Sequence, residues 1–244
     1  MNRIVWLGVV LLVAGCAAAP RSGVVAGRPG VNIADAALAS GMAQTALNVT
    51  RAILQDDPHN VAALTRQGAA LAALGHPAAA MEAYRRALAE QPASPAALLG
   101  LGRLQLAGGP AADAEASFRK LLAATPGDPA ALNDLGIALD LQGRHAEAQA
   151  RYRAILARAP HDHAAWVNLA LSLSMTGQAA QSVAMLRGPA ERADASAKLR
   201  EDFALALTLD GQEGEARHLL LADLPPDQAQ EALAGYHDLG PPAP

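Results

Sequence analysis

Glycine recurs at positions 75, 109, 143, 177 and 211 of this chain, each 34 residues after the last. Pro58, Pro92, Pro126 and Pro160 keep the same step, and so do Asn60, Ser94, Asp128, Asp162 and Ser196. Self-similarity at such a period marks an array of stacked units, none of which buries its apolar face alone. Each residue class has a local reason to be where it is. Asn, Ser and Asp cap helix N-termini by accepting from an N–H of the first turn. Pro95 and Pro129 follow two of those caps at the first helical position, where a missing N–H costs nothing. The glycines fall where the first helix of each unit closes and a residue with positive φ is commonly needed. The pattern predicts two helices per unit, joined at these glycines.

The first helix of each unit carries a small residue: Gly68, Gly102, Gly136, Ala170 and Ala204. The second answers with Ala80, Ala114, Ala148, Ser182 and Ala216. Small against small lets two helix backbones approach, with Tyr84, Phe118 and Tyr152 filling the gap beside that contact. Composition agrees: 52% of residues are hydrophobic but only 3% aromatic, so burial comes from many small contacts rather than a few large rings. Leu132, Leu135, Gly136, Leu139, Ala148, Tyr152 and Pro160 fit the spacing W-x2-L-G-x2-Y…A-x3-F…P, and Trp166, Leu169, Ala170, Leu173 and Ser182 follow in the next unit. In these positions the chain resembles the tetratricopeptide-repeat (TPR) family. The resemblance implies an all-α fold, a TPR superhelical solenoid of antiparallel helix pairs. Residues 61–222 form the array, and residues 31–60 a degenerate first unit with Gly41 and Ala46 in register. A closing amphipathic helix is expected over 223–239, with a tail at 240–244. Gly188-Pro189 is expected to end or kink the second helix of its unit, because an internal proline costs about 3 kcal/mol. Arg200 stands where a large apolar residue is usual.

The chain opens "MNRIVWLGVVLLVAGCAAAP". Arg3, then the apolar run Ile4 to Val13, then small residues, have the layout of a signal peptide, and the run is too short to span a bilayer. Val13-Ala14-Gly15-Cys16 resembles a bacterial lipobox. The resemblance implies a signal peptide over 1–15, a lipidated Cys16 and a flexible tether over 16–30, with the lipid as the only attached group and no other cofactor. Cys16 is the only cysteine, so it has no disulfide partner and no neighbouring thiols for a zinc site. Ala17 beside it is compatible with delivery to the outer membrane, on the periplasmic side.

The C-terminal portion is the least generic. The stretch "LRGPAE…KLREDFALALTLDGQEGEARHLLLADLPPDQAQEALAGYHDL" is similar to the TadD family of lipoproteins from tight-adherence (Flp) pilus systems. The matching segments are Leu186 to Pro189, Arg200 to Leu207 and Asp223 to Pro226, with Asp202-Phe203 where Asn-Leu is more usual. That resemblance implies an outer-membrane lipoprotein that assists assembly or placement of the pilus secretin, with secretin or other pilus-assembly components as partners. Two further readings stay open: an accessory of another envelope machine, such as a type IV pilus pilotin or a β-barrel assembly factor, and a periplasmic chaperone or recruiter for an envelope enzyme.

Motifs with catalytic or metal-binding chemistry do not stand out. The HDH at His161 to His163 falls on an inter-unit turn, where Asp162 reads as a helix cap. Ser172 and Ser174 lie on a helix with no evident base nearby, and an enzyme assignment has no residue to rest on. A net charge of −4 argues against a nucleic-acid partner. No small-molecule substrate is implied. The remaining candidate is the concave groove. In the TPR family, positions 2, 5, 9 and 12 of each first helix tend to line it, which selects Thr65, Leu99, Arg103, Asn133, Ile137, Asp140, Val167, Leu171 and Lys198. The Lys and Asn pairs of carboxylate-clamp members are missing, and the mixed lining suits a helix or an extended segment of a protein partner.

Overall fold

The computed structural model describes residues 29–238. Cys16, the signal peptide, nearly all of the tether and the 240–244 tail lie outside the described residues. Within them the chain forms thirteen α-helices and no strand. The first of each pair are α1 (Pro29–Ala39), α3 (Val61–Ala73), α5 (Pro95–Gly108), α7 (Pro129–Asp140), α9 (His163–Met175) and α11 (Ala197–Leu209). Their partners are α2 (Ala43–Asp56), α4 (Pro77–Glu90), α6 (Ala111–Ala124), α8 (His145–Leu156), α10 (Ala179–Ala190) and α12 (Glu213–Leu220). Helix α13 (Pro226–His237) closes the stack against α11 and α12, burying Ala229 and Leu233.

The repeat's local logic is visible residue by residue. Asn60, Asp128, Asp162 and Ser196 each accept the N–H three residues on, from Ala63, Ala131, Ala165 and Leu199. Ser94 occupies its cap position without making that bond. Gly41, Gly75, Gly143, Gly177 and Gly211 have φ between +72° and +79°. After each, the next N–H returns to a carbonyl five residues back, as His76 does to Leu71 (2.9 Å) and Arg144 to Leu139 (2.9 Å). Gly109 departs from this set, at φ −129°. The reason is Pro110: it has no N–H to make the returning bond, so the cap cannot close. Helix α5 instead runs on to Gly108 and Gly109 turns extended.

The contact inside each unit also differs from a simple meeting of small residues. A Cβ on Gly68 would stand 2.8 Å from the Tyr84 ring, one on Gly102 2.7 Å from Phe118 Cζ, and one on Gly136 2.6 Å from Tyr152 Cζ. Each glycine makes room for a ring. Where the first helix carries Ala170 or Ala204 instead, the second carries the smaller Leu186 or Leu220, and these four side chains are likewise buried. Volume is conserved across the pair, which is what a close-packed interior requires.

Two features of the C-terminal units differ from, or explain, the sequence pattern. Helix α10 is not broken before Gly188-Pro189; it continues through Pro189 and ends at Ala190. Gly188 has no Cβ to collide with the proline ring, and the proline lies in the final turn, where little of the helix remains to be disrupted. Arg200 reaches the turn before α13: its Nε and Nη2 each lie 2.6 Å from a carboxylate oxygen of Asp223, and Nη1 donates to the Ala195 carbonyl at 2.6 Å. The position that is usually apolar is used here as a clamp on the closing helix.

Candidate partner-binding groove

Odd-numbered helices touch the next odd-numbered helix all along the array, from α1·α3 to α11·α13. Even-numbered helices of successive units have no such backbone approach; α10 and α12 meet through side chains, Arg187 donating to Glu215 at 2.6 and 3.1 Å. The first helices therefore form the tighter, inner face of the curve, and their exposed side chains line the groove.

Several ladders cross that face between units. Arg66 Nε and Nη2 donate to Asp35 at 2.8 and 3.1 Å. Arg103 Nε donates to Asp134 at 2.7 Å, and the Asp134 side chain is 3% exposed. Asn168 donates to the Asn133 side-chain oxygen at 2.8 Å. Within α11, rather than between units, Lys198 Nζ lies 2.9 Å from Asp202 and 3.4 Å from Glu201. Burial pushes the Asp202 carboxyl up, and Lys198 pulls against that rise.

The nine candidates divide accordingly. Thr65 is buried and its hydroxyl donates to the Val61 carbonyl of its own helix (2.8 Å), so it offers nothing to a partner. Asp140 is occupied by its own chain. It accepts from Ser172 Oγ (2.8 Å) and Tyr152 OH (3.0 Å), and His145 Nδ1 lies 2.8 Å from it. This also corrects the reading of Ser172, which does have a carboxylate beside it; but Ser172 is 1% exposed, and the cluster pins α7, α8 and α9 together. Leu99 packs against the core around Phe118 and Leu121, and Val167 against the C-terminal core. Ile137 is buried in its seam. Lys198 is exposed but paired. Arg103, Asn133 and Leu171 keep part of their surface open.

The sequence reading missed Leu205. It lies 34 residues after Leu171, which lies 34 after Ile137, and the repeat itself was the signal for it. Leu171 and Leu205 are half-buried and belong to none of the core clusters. They form an apolar row flanked by Asn133 and Asn168, able to receive the apolar face of a bound segment.

Two family profiles, both described as tetratricopeptide repeat, match the chain: one over residues 31–95, 65–129 and 99–150, the other over 141–201. No curated protein sequence matches. Among solved structures, PilW, described as a widely conserved type IV pilus biogenesis factor, aligns with 22% identity and a TM-score of 0.73 over 84% of this chain and 96% of its own. The pilF protein of Pseudomonas aeruginosa aligns with 16% identity and a TM-score of 0.70, also over 84% and 96%. A tetratricopeptide repeat protein from Parabacteroides merdae aligns with 19% identity and a TM-score of 0.64 over 85% of this chain and 83% of its own. These likenesses are of fold. The capped helix pairs, the Gly–ring fits and the profiles covering 31–201 agree, and the chain belongs to the tetratricopeptide-repeat family.

Proposed function

We propose that this chain is a lipid-anchored scaffold of the outer membrane, facing the periplasm, which holds a segment of a secretin or another pilus-assembly component in its concave groove. The observation that carries the groove is the row through Leu171 and Leu205: apolar surface on the inner face that takes part in no core cluster. Half-buried apolar side chains in a concave face, bordered by polar groups, suit the apolar side of a bound segment. The pilus assignment draws on the C-terminal resemblance to the TadD family and on the fold shared with PilW, described as a pilus biogenesis factor. The anchor draws on Cys16 and the apolar run before it. Acyl burial contributes about 0.8 kcal/mol per CH₂, so two or more chains hold a protein on a membrane durably.

The test pairs two variants. Leu171→Arg with Leu205→Arg places charge in the groove without opening a core cavity. It is expected to keep the parent's circular dichroism and membrane location while secretin pulldown and surface piliation fall. Full piliation with normal pulldown would move the site elsewhere. Arg103→Glu is unsuited to this purpose, since it would set a second carboxylate against the nearly enclosed Asp134. Cys16→Ala is expected to lose palmitate labelling and to release the protein from membranes; unchanged labelling would sink the anchor.

A further inference from the structure

One seam of the groove is nearly bare. Where later first helices carry Asp134, Asn168 and Asp202, α5 carries Gly100. At the spacing that joins Asp35 to Arg66 and Arg103 to Asp134, Gly100 answers Ala69. Under this gap stands Tyr84. Its ring fills the space beside Gly68 and continues to the seam: a Cβ on Gly100 would fall 2.6 Å from the Tyr84 hydroxyl oxygen.

The hydroxyl is the unusual part. Of the three rings at this register, Phe118 has no polar atom and Tyr152 donates to Asp140. Two repeats before Asp140 the chain has Ala72, which offers no acceptor. Tyr84 is 5% exposed, yet its hydroxyl has no hydrogen-bond partner among the described residues. Nor is that hydroxyl sealed in: it is not one of the enclosed, unpartnered side-chain atoms among the described residues. The Tyr84 oxygen is thus the open tip of an otherwise buried side chain, whereas a buried phenol ordinarily finds a partner within its own protein. One turn along α5 from Gly100, Arg103 commits Nε to Asp134 and leaves Nη1 and Nη2 without an acceptor among the described residues, with its side chain 36% exposed. Burial pushes the Tyr84 phenol up to about 12 while Arg103 pulls it down, as a nearby guanidinium does.

Resting on the groove reading above, we propose that the Tyr84 hydroxyl and the free edge of Arg103 form a carboxylate subsite, filled by an Asp or Glu side chain of an extended partner segment that crosses Gly100. A carboxylate accepts from both donors at once, and the guanidinium edge matches its two oxygens. Glycine at 100 admits the ligand to the phenol; any side chain there would stand on it. The ligand is an internal side chain rather than a chain end, because the groove continues beyond the notch to Leu171 and Leu205 and a segment bound along it passes through.

The probes are three acetylated, leucine-containing peptides of one length: central Glu with an amidated end, central Gln with an amidated end, and central Gln with a free C-terminal acid. Binding is read by calorimetry at low salt. The Glu peptide is expected to bind roughly tenfold tighter than the Gln amide, and Tyr84→Phe to remove most of that difference at unchanged thermal stability, since the lost hydroxyl holds nothing in the fold. Equal affinity of the two amides overturns the subsite; if Leu171→Arg then weakens both alike, the groove stands without it, and if it weakens neither, the groove reading falls as well. A free-acid Gln peptide that matches the Glu peptide overturns the side-chain assignment in favour of a chain end. Absence of binding by all three overturns the subsite, while the secretin pulldown still judges the groove.

Discussion

Gly136 and Gly41 are both glycines of the repeat, yet they are there for different reasons. A Cβ on Gly136 would meet the Tyr152 ring, whereas Gly41 has nothing within reach and a φ of +72°. Gly136→Leu forces a fully packed pair apart and is expected to cost at least the roughly 1–3 kcal/mol of ordinary overpacking. Gly41→Leu meets only the backbone preference, on the order of 1–2 kcal/mol. Urea unfolding of the two variants measures the difference, and equal losses would contradict the size-matching described here. A paired change is sharper: Gly136→Ala with Tyr152→Leu reproduces the combination found at Ala170 and Leu186, and is expected to recover part of the loss of Gly136→Ala alone. Recovery stays incomplete because Tyr152→Leu also strips Asp140 of a donor. The sequence showed that these positions were small and large. It did not show that each glycine faces the ring, because the touching residues lie 16 apart and on different helices.

Between elements, the polar connections set what holds each joint. Glu115 on α6 is 6% exposed at its side chain and lies between Arg144, Arg119 and Gln142. Burial pushes its carboxyl up, but the hydrogen bonds from Gln142 and Arg144 and the arginine charges outweigh this, and it sits below the ordinary value of 4.5. A depressed folded value means stability that is present above pH 4.5 and lost as pH falls through the folded value. Glu115→Gln is therefore expected to lower stability at neutral pH and to reduce the acid loss below pH 4.5, read from urea midpoints across pH. An unchanged acid limb would mean that other carboxylates dominate it. At the far end, Arg200→Met removes the clamp on Asp223. Amide exchange in α13 is expected to quicken while α3 to α8 stay as they were. These joints were the least legible part of the sequence. Asp140 was read as a groove residue because its position in the repeat said so; that it is consumed by Ser172, Tyr152 and His145 depends on side chains from two other helices. The Gly109 exception was on the page in Pro110, but only once the closing bond was specified did the missing N–H matter.

For the whole molecule, the 34-residue step carried nearly everything about architecture, since a unit that contacts only its neighbours is described by its own spacing. It carried less about the groove, because the same register places a side chain at the inner face whether or not the chain itself engages it. The even-numbered helices of successive units have no close backbone approach and meet only through side chains, as Arg187 meets Glu215, and this has a mechanical meaning. The row of odd-numbered helices acts as the backbone of a leaf spring, and the outer helices as leaves free to spread or close. Curvature can change through small shifts at each inner seam, because the outer side has no packed layer, only side-chain pairs such as Arg187 with Glu215 and Arg144 with Glu115 that long side chains can follow. The groove is then wide or narrow according to what lies in it, and its span is shared among all units rather than set at one hinge. Small-angle scattering of the free chain and of a peptide-bound chain is expected to show a change in radius of gyration, with helix content by circular dichroism constant.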